Sequence, residues 1–420
     1  MNRVIKKVLY YVQIQFASPV SVTSGDGEIT DNDVLRDYED IPFIAGTSLA
    51  GAFRDYLQIL PGEDHIFGYA NGSQGKISRI YISDLCFCGE VKIVSRDGVA
   101  LSDKKSAITG AKYDMEAIDS GASGYFIMEL VIREQDEEEA VRNQVHQILH
   151  GIKNGEIRFG CKKTRGYGEM KLKSVCVKEF TVENMREYAD AYVCDWNKLP
   201  DRKEECLKKT VSRKRSVDIE VPLRIRGGIS IRQYAVKKGE PDFIHITANE
   251  KPVIPGTSFA GALRSRMKEI LRLLNPQMDI QKTEEVMELL FGYVHDEKAH
   301  RSNIVISESV IEDARKLTSA RTAVSRFESS AKRGSLYTER TYVDGTLILR
   351  MKLFETAAEK WAVGLLLLAL KDMQRGYLPI GGETSIGRGI FEADGPILID
   401  GEPVEEGVYF MGDSVMQREE

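Results

Sequence analysis

From Val8 to Phe16 the chain reads Val-Leu-Tyr-Tyr-Val-Gln-Ile-Gln-Phe, an alternation that predicts a half-buried β-strand. A polar loop from Ser24 to Asp37 follows. Then comes Ile44-Ala-Gly-Thr-Ser-Leu-Ala-Gly-Ala-Phe-Arg54, which predicts a strand end, a glycine turn, a Thr-Ser cap and a helix around residues 47–60. The chain writes this order a second time. Val217-Asp-Ile-Glu-Val-Pro-Leu-Arg-Ile225 predicts a strand, and a loop runs from Gly227 to Lys251. Ile254-Pro-Gly-Thr-Ser-Phe-Ala-Gly-Ala-Leu-Arg264 then opens a helix around residues 257–274. Gly51 and Gly261 fall inside the two helical patterns, where glycine costs roughly 1 kcal/mol against alanine. A cost repeated at the same place implies close approach there, by a neighbouring strand or by a ligand.

The agreement continues at fixed spacing. Phe67-Gly68-Tyr69 is matched by Phe291-Gly292-Tyr293, and fifteen residues beyond each glycine stands a serine followed by an acid, Ser83-Asp84 and Ser307-Glu308. Each copy then has a variable stretch, a strand (125–132 and 346–353) and an amphipathic helix (137–152 and 356–374). Both close on a glycine ladder: Gly160-Cys-Lys-Lys-Thr-Arg-Gly-Tyr-Gly168 aligns without a gap on Gly381-Gly-Glu-Thr-Ser-Ile-Gly-Arg-Gly389. A period near 210 residues is too long for a solenoid and marks duplicated domains. The predicted fold class is α+β, with tandem domains at residues 1–177 and 215–400. Each has the βαββαβ order of a ferredoxin-like (RRM-like) sheet with helices on one face. A helical linker is expected over residues 178–214 and a tail over 401–420.

With 42% hydrophobic and 29% charged residues, the chain reads as a soluble globular protein. Its apolar run Trp361–Leu370 stops well short of a bilayer span, so no membrane partner is expected. The N-terminus alternates toward a strand and has no signal-peptide cleavage site, which makes the cytoplasm the expected compartment. The six cysteines include no CxxC and no ligand-spaced Cys/His cluster, so free thiols are expected. A net charge of −6 argues against indiscriminate nucleic-acid binding and leaves room for a local basic track.

The glycine-serine helix motif after the first strand, the FG before a short strand, and the closing G-G-x-x-S-x-G-x-G loop occur in order and twice. As a set they resemble the RAMP superfamily, the ferredoxin-like CRISPR-associated proteins. Within it the chain is most similar to backbone subunits of type III effector complexes, whose helix motif commonly reads I-P-G-S-S-L-K-G-x-x-R. A fused pair of domains points to the type III-D style. The resemblance implies guide RNA (crRNA), target RNA and other effector subunits as partners. It also has departures. The motif's lysine is replaced by Ala50 and Ala260, removing one expected phosphate contact from each copy. Copy two carries, over residues 323–339, the segment that forms a thumb-like hairpin in the family, wedged into the guide–target duplex. Copy one offers only Ile108–Glu116.

The resemblance also places chemistry. Type III backbone subunits cleave target RNA with an acid in the loop after the first strand, in a pattern like D-x-P-x-x-[RK]-[DE]. Asp31-Asn-Asp-Val-Leu-Arg-Asp37 fits with Asp31 as acid and metal ligand and with Arg36 and Asp37 as the trailing pair. Asp33 takes the proline's place and is a rival acid. In copy two Asp242 lies fourteen residues before Gly256, where Asp31 lies fifteen before Gly46, and His245 is nearby. Such a carboxylate would bind Mg²⁺ or another divalent cation, or position the 2′-hydroxyl that attacks its own phosphate. The alternative is a loop carboxylate that caps a turn.

For RNA binding, the glycine turns at Gly46, Gly160, Gly256 and Gly382 offer backbone N–H groups, with Ser48 and Ser258 beside them. Lys162, Lys163, Arg165 and Arg388 add charge; the alternative is a tight turn beside a sheet. Arg54 and Arg264 project from matched helix positions and either join this track or form surface ion pairs. Lys332-Arg333 lies in the thumb segment, and Arg213-Lys-Arg215 is a second basic cluster. His146 and His150 lack the glutamate of a metalloprotease helix and read as helix-surface or core residues, and His295 and His300 have no third ligand. Two other functions fit the same residues: a non-catalytic RNA-binding scaffold of the complex, and a stand-alone endoribonuclease that processes repeat RNA. The acidic net charge speaks against a solitary RNA binder.

Overall fold

An uninterrupted apolar run such as Val8–Val12 needs cover on both faces of a sheet, and the first half of the protein is built around that need. The structure, a computed structural model, describes residues 3–23, 25, 30–59, 66–71, 74–101, 107–193, 195–208, 216–234, 239–295, 298–354 and 360–404. By their contacts the residues form two compact units. One comprises Met1–Arg96, Tyr113–Lys163 and Tyr167–Lys214; the other comprises Asp97–Lys112, Thr164–Gly166 and Arg215–Glu420.

In the first half the elements are β1 (Val4–Phe16), α1 (Gly46–Ile59), β2 (Ile80–Ile82), β3 (Ile93–Leu101), β4 (Ala107–Ile118), β5 (Ser123–Arg133), α2 (Glu138–Lys153) and β6 (Met170–Thr181). The sheet order is β6-β1-β5-β2, all antiparallel, which is the ferredoxin-like arrangement the element order predicts. Val8, Tyr10, Val12, Ile14 and Phe16 belong to one core with Leu49 and Phe53 of α1 and Val145 and Ile148 of α2. Fully burying each such side chain contributes about 1.5–3 kcal/mol.

The other face carries Leu9, Tyr11, Ile127 and Phe180, covered by Ala191 and Trp196. Trp196 lies flat on Tyr11, with ring centroids 5.1 Å apart. Beside them Glu129 is buried and is bound by Lys7 (2.7 Å), Tyr188 Oη (2.7 Å) and Tyr192 Oη (2.6 Å). Burial alone would raise its carboxyl, but the bonds from Lys7 and the two tyrosines outweigh it and hold the group below its ordinary range. The stretch expected as a helical linker is thus a strap across the sheet. Its first residues end β6, short 3₁₀ turns follow at Met185–Val193 and Trp196–Lys198, and its α-helix is the short Lys203–Lys208.

The second half contains β7 (Ser216–Arg226), β8 (Phe243–His245), α3 (Gly256–Leu274), α4 (Ile280–Phe291), β9 (Ile304–Ile306), β10 (Arg315–Arg321), β11 (Tyr337–Val343), β12 (Thr346–Phe354), α5 (Lys360–Gln374) and β13 (Ile390–Ala393). Around β7 the same antiparallel order recurs, with β12 on one side followed by β9, and β13 on the other. Ile219, Val221, Leu223 and Ile225 pack with α3 and α5. The opposite face is polar: Asp218 pairs with Lys352 (2.5 Å), Glu220 with Arg350 (3.1 Å), and Arg224 with Asp394. One covered and one polar face explain why β7 alternates more cleanly than β1.

Two expectations change. The sequence reading has no α4, whose Met287, Leu290 and Phe291 join the core at helical spacing. Copy one does have a counterpart of the copy-two hairpin: β3 and β4 pair as a two-stranded sheet at the place in the order that β10 and β11 occupy in copy two. Its polar, one-sided strands leave little periodic signal. The Arg213–Arg215 cluster, residues 355–359 of the last predicted helix and residues 405–420 lie outside the described residues. Among the described residues no helix is long and apolar enough to cross a membrane.

Trp196 gives the strap a test. Trp196→Ala should destabilise the protein by about 3–5 kcal/mol, read as a lower urea midpoint, whereas a mere tether would leave the midpoint unchanged.

Candidate nucleic-acid interface

The helix motif is organised differently from its sequence reading. α1 and α3 begin at Gly46 and Gly256, so Thr47-Ser48 and Thr257-Ser258 sit inside the first turn rather than capping it. The residue before α3 is Pro255, which makes no side-chain cap. In copy one the cap comes from elsewhere in the chain, because Gly46 N–H donates to the Asp84 carboxylate at 2.7 Å. A Cβ on Gly46 would meet the Ile82 carbonyl oxygen at 2.5 Å, so close packing of helix on strand accounts for this glycine. Gly256 likewise packs against Ile306, and its Cβ would also meet the Arg165 carbonyl oxygen at 2.6 Å within the second unit. Gly51 and Gly261 are different: they are exposed, and a Cβ on either would meet nothing within 4 Å. No strand among the described residues approaches them.

The ladders prove to be one backbone turn built twice. Gly160, Gly166 and Gly168 have positive φ, and so do Gly381, Gly387 and Gly389. Lys162 and Glu383 occupy the same step, both left-handed, at φ 50° and 60°. A Cβ on Gly168 or Gly389 would overlap the carbonyl oxygen of Phe159 or Ile380. The turn also uses its own donors: Cys161 and Gly382 N–H donate to the Ser21 and Ser230 carbonyls (2.9 and 2.7 Å). Gly168 and Gly389 N–H donate to Pro19 and Gly228 (both 2.8 Å). These four N–H groups are therefore committed within the protein.

The loop acids are held in matching ways. Asp31 N–H donates to Asp114 Oδ1 (3.1 Å), and Asp114 N–H on β4 donates back to Asp31 Oδ2 (3.0 Å). Asp242 N–H donates to Thr338 Oγ1 (3.1 Å), and Thr338 N–H on β11 donates back to Asp242 Oδ2 (2.7 Å). Each copy thus clasps its loop acid to a hairpin strand. The hydrogen bonds from Thr338 hold the exposed Asp242 carboxyl below its ordinary range.

The rest of the copy-one loop is scaffolding. Asp33 is buried, and its Oδ1 accepts from Thr30 N–H (2.9 Å) and Oγ1 (2.8 Å). Arg36 pairs with buried Glu116 at 2.8 Å, and Asp37 caps a turn by accepting from Glu39 and Ile41 N–H. In copy two His245 is buried: Nδ1 accepts from Ile231 N–H (3.1 Å) and Nε2 faces the Val253 carbonyl (3.0 Å). Burial pushes its imidazole down to about 4, and it remains a neutral structural group.

The expected cations divide into two kinds. Lys162 points inward, donating to Tyr113 Oη (2.6 Å) and lying 3.9 Å from the centre of that ring. Arg264 pairs with Glu284 (3.5 Å), whereas Arg54 is exposed and forms no ion pair among the described residues. Arg165, Lys332 and Arg333 are exposed and Lys163 half-buried. Lys332 and Arg333 lie beyond the β10–β11 strands in a tip where Phe327 is 95% exposed.

Arg388 belongs to a cluster that sequence reasoning missed. Glu383 binds Arg232 (2.8 Å) and Arg321 (2.9 Å), lies 3.8 Å from Arg388, and buried Glu339 binds Arg232 again (3.1 Å). Next to it a cavity of about 330 Å³ is lined by Gly387, Arg388, Arg315 and Arg321. Arg232, Arg321 and Arg388 lie far apart in the chain, and no local spacing marks them. Among the described residues no group of three or more His, Cys, Asp or Glu side chains could hold a metal ion.

These environments can be tested by unfolding. Gly389→Ala should cost roughly 3 kcal/mol or more, because the turn needs positive φ and has no room for a Cβ, while Gly51→Ala should stabilise by about 0.5–1 kcal/mol; urea unfolding measures both. His245 should make stability depend on pH. It titrates at about 4 in the fold against 6.5 unfolded, so its contribution is full above pH 6.5 and lost as pH falls toward 4, about 3 kcal/mol in all. A His245→Gln variant should lack that slope in unfolding measured across this range.

The model of the RAMP superfamily matches residues 13–171 and 218–392, one span on each copy of the repeat. No curated protein matches the chain. The two spans cover most of the sequence, and each contains the glycine-started helix, the helix before the ladder and the closing ladder itself. The chain therefore belongs to the RAMP superfamily, as a protein of two tandem RAMP domains, and that membership makes it a CRISPR-associated, RNA-binding type of protein.

Proposed function

We propose that the protein is a fused double-domain backbone subunit of a type III, III-D-like, CRISPR ribonucleoprotein that binds guide RNA and cleaves the paired target RNA. The observation that carries this reading is the clasp that fixes the exposed Asp31 onto a hairpin strand, Asp31 being the residue that matches the acid of the family motif; the same pair of backbone bonds recurs at Asp242.

Asp31 is the stronger acid candidate of the copy-one loop, because it is exposed whereas Asp33 is buried under Thr30. Its carboxylate takes the proton from a target 2′-hydroxyl as that oxygen bonds to the adjacent phosphorus. The P–O5′ bond breaks, the leaving oxygen takes a proton from water, and the products are a 2′,3′-cyclic phosphate and a 5′-hydroxyl. Mg²⁺ fits such a site only as an ion that arrives largely hydrated on the RNA, since two carboxylates, Asp31 and Asp114, are what the clasp supplies. When bound, it would neutralise charge on the phosphate oxygens. RNA binding is assigned to the exposed cations Arg54, Arg165, Lys332 and Arg333, and to the arginines around Gly387.

In the assembled complex, Asp31→Ala should slow target cleavage by about 100-fold or more with target affinity unchanged. Unchanged cleavage would leave the protein an RNA-binding scaffold. Lys332→Ala/Arg333→Ala should lower the slope of log affinity against log salt by about 0.7–0.9 for each phosphate that the pair neutralises, and an unchanged slope removes the tip from the interface.

A further inference from the structure

Within the two ladders, residues 160–168 and 381–389, Glu383 is the only acid, and it stands at the left-handed step that Lys162 fills in copy one. Lys162 turns away onto Tyr113, whereas Glu383 turns into the arginine cluster. Its Oε1 accepts from Arg232 (2.8 Å) and Arg321 (2.9 Å). Its Oε2 is buried, accepts no hydrogen bond among the described residues, and lies 3.8 Å from Arg388 Nε. The Arg388 guanidinium is seated against Gly228, where a Cβ would overlap it, and with Arg315 and Arg321 it lines the cavity of about 330 Å³. A left-handed residue other than glycine and a buried oxygen without a donor both cost stability. What they keep in place is a negative charge beside a cationic cavity.

Charge counting identifies what the cavity takes. Arg232, Arg315, Arg321 and Arg388 face Glu339, Glu383 and Asp344, which leaves one positive charge in surplus. That surplus matches a phosphodiester, which carries a single negative charge, and not a terminal phosphate, which carries close to two. Guanidinium–phosphate pairs are among the stronger charge-assisted hydrogen bonds. A phosphodiester seated in the cavity shares Arg321 and Arg388 with Glu383 and is repelled by its carboxylate.

We infer that Glu383 is an internal counter-anion that holds the arginine cavity of copy two below its full affinity for an RNA phosphodiester. The restraint belongs to copy two alone, since the copy-one ladder carries a lysine at the same step. The inference rests on the RNA-binding reading proposed above and deepens it, by naming the group that the cavity takes and the residue that tunes its hold. It is independent of cleavage.

The experiment measures the affinity of the full-length chain for a short single-stranded RNA, by fluorescence anisotropy over a range of salt. Glu383→Gln should bind about 10-fold tighter at low salt, with the gain shrinking as salt rises. Glu383→Asn, whose side chain suits a left-handed step, should show the same gain. The gain should vanish when Arg388→Gln is added to Glu383→Gln, because the carboxylate acts through that guanidinium. Glu285→Gln neutralises an exposed acid of α4 and should change affinity by less than about two-fold; an equal gain there reduces the effect to net charge and overturns the inference. A merely structural carboxylate would give the opposite sign, with RNA affinity and urea midpoint falling together in both Glu383 variants, and that result also overturns it. So does inorganic phosphate that raises the urea midpoint while Glu383→Gln leaves RNA affinity unmoved, since the cavity would then take the free ion. If the wild-type chain binds no single-stranded RNA, the RNA-binding reading falls with the inference; if it binds and Glu383→Gln gains nothing, only the inference falls.

Discussion

A loop with no secondary structure of its own can present a reactive side chain only if something rigid holds it. Here the holder is a pair of reciprocal hydrogen bonds between a loop residue and a strand residue, Asp31 with Asp114 and Asp242 with Thr338. The strands belong to hairpins that extend from each half, and the loops run from the first strand of each sheet toward the helix that follows it. Four backbone N–H bonds, two in each RAMP domain, thus tie the loops to the hairpin strands. The clasp explains both the placing of the acids and the need for a hairpin in both copies.

The constant part is held by backbone commitments of another kind. The glycine ladder turns back on itself at positive φ, spends its N–H groups on carbonyls of the first loop, and leaves no room for side chains at its closing glycine. Its glycines are accounted for by folding. What the turn offers outward differs between copies at one step, where Lys162 tucks onto Tyr113 and Glu383 gathers Arg232 and Arg321. The same left-handed residue is a cation in one half and an anion in the other, and each carries its own counter-partners. Duplication has kept the backbone and let the charges diverge.

Much of this was legible in the sequence, for a physical reason. Strand and helix periods are local, so β1, β5, β7 and β12 and the helices α1, α2, α3 and α5 could be read directly, and the gap-free recurrence of three ladder glycines fixed their alignment. Partners distant along the chain could not be read. Asp114 lies 83 residues from Asp31 and Thr338 lies 96 from Asp242. Asp84 takes over the helix cap that Thr47-Ser48 were expected to provide, and Tyr188 and Tyr192 bind Glu129 from a strap with no regular period. The candidate acids were found because a motif marks them, and their chemistry stayed hidden because it depends on what lies across from them.

The central claim is that a clasped loop carboxylate takes the proton from a 2′-hydroxyl of the target. Its most direct test is a target RNA carrying a single 2′-deoxy nucleotide at the scissile position, presented to the assembled complex. The account predicts that binding is unchanged and that the cut opposite this subunit disappears, because the attacking oxygen is gone. A cut that persists at that position would contradict it.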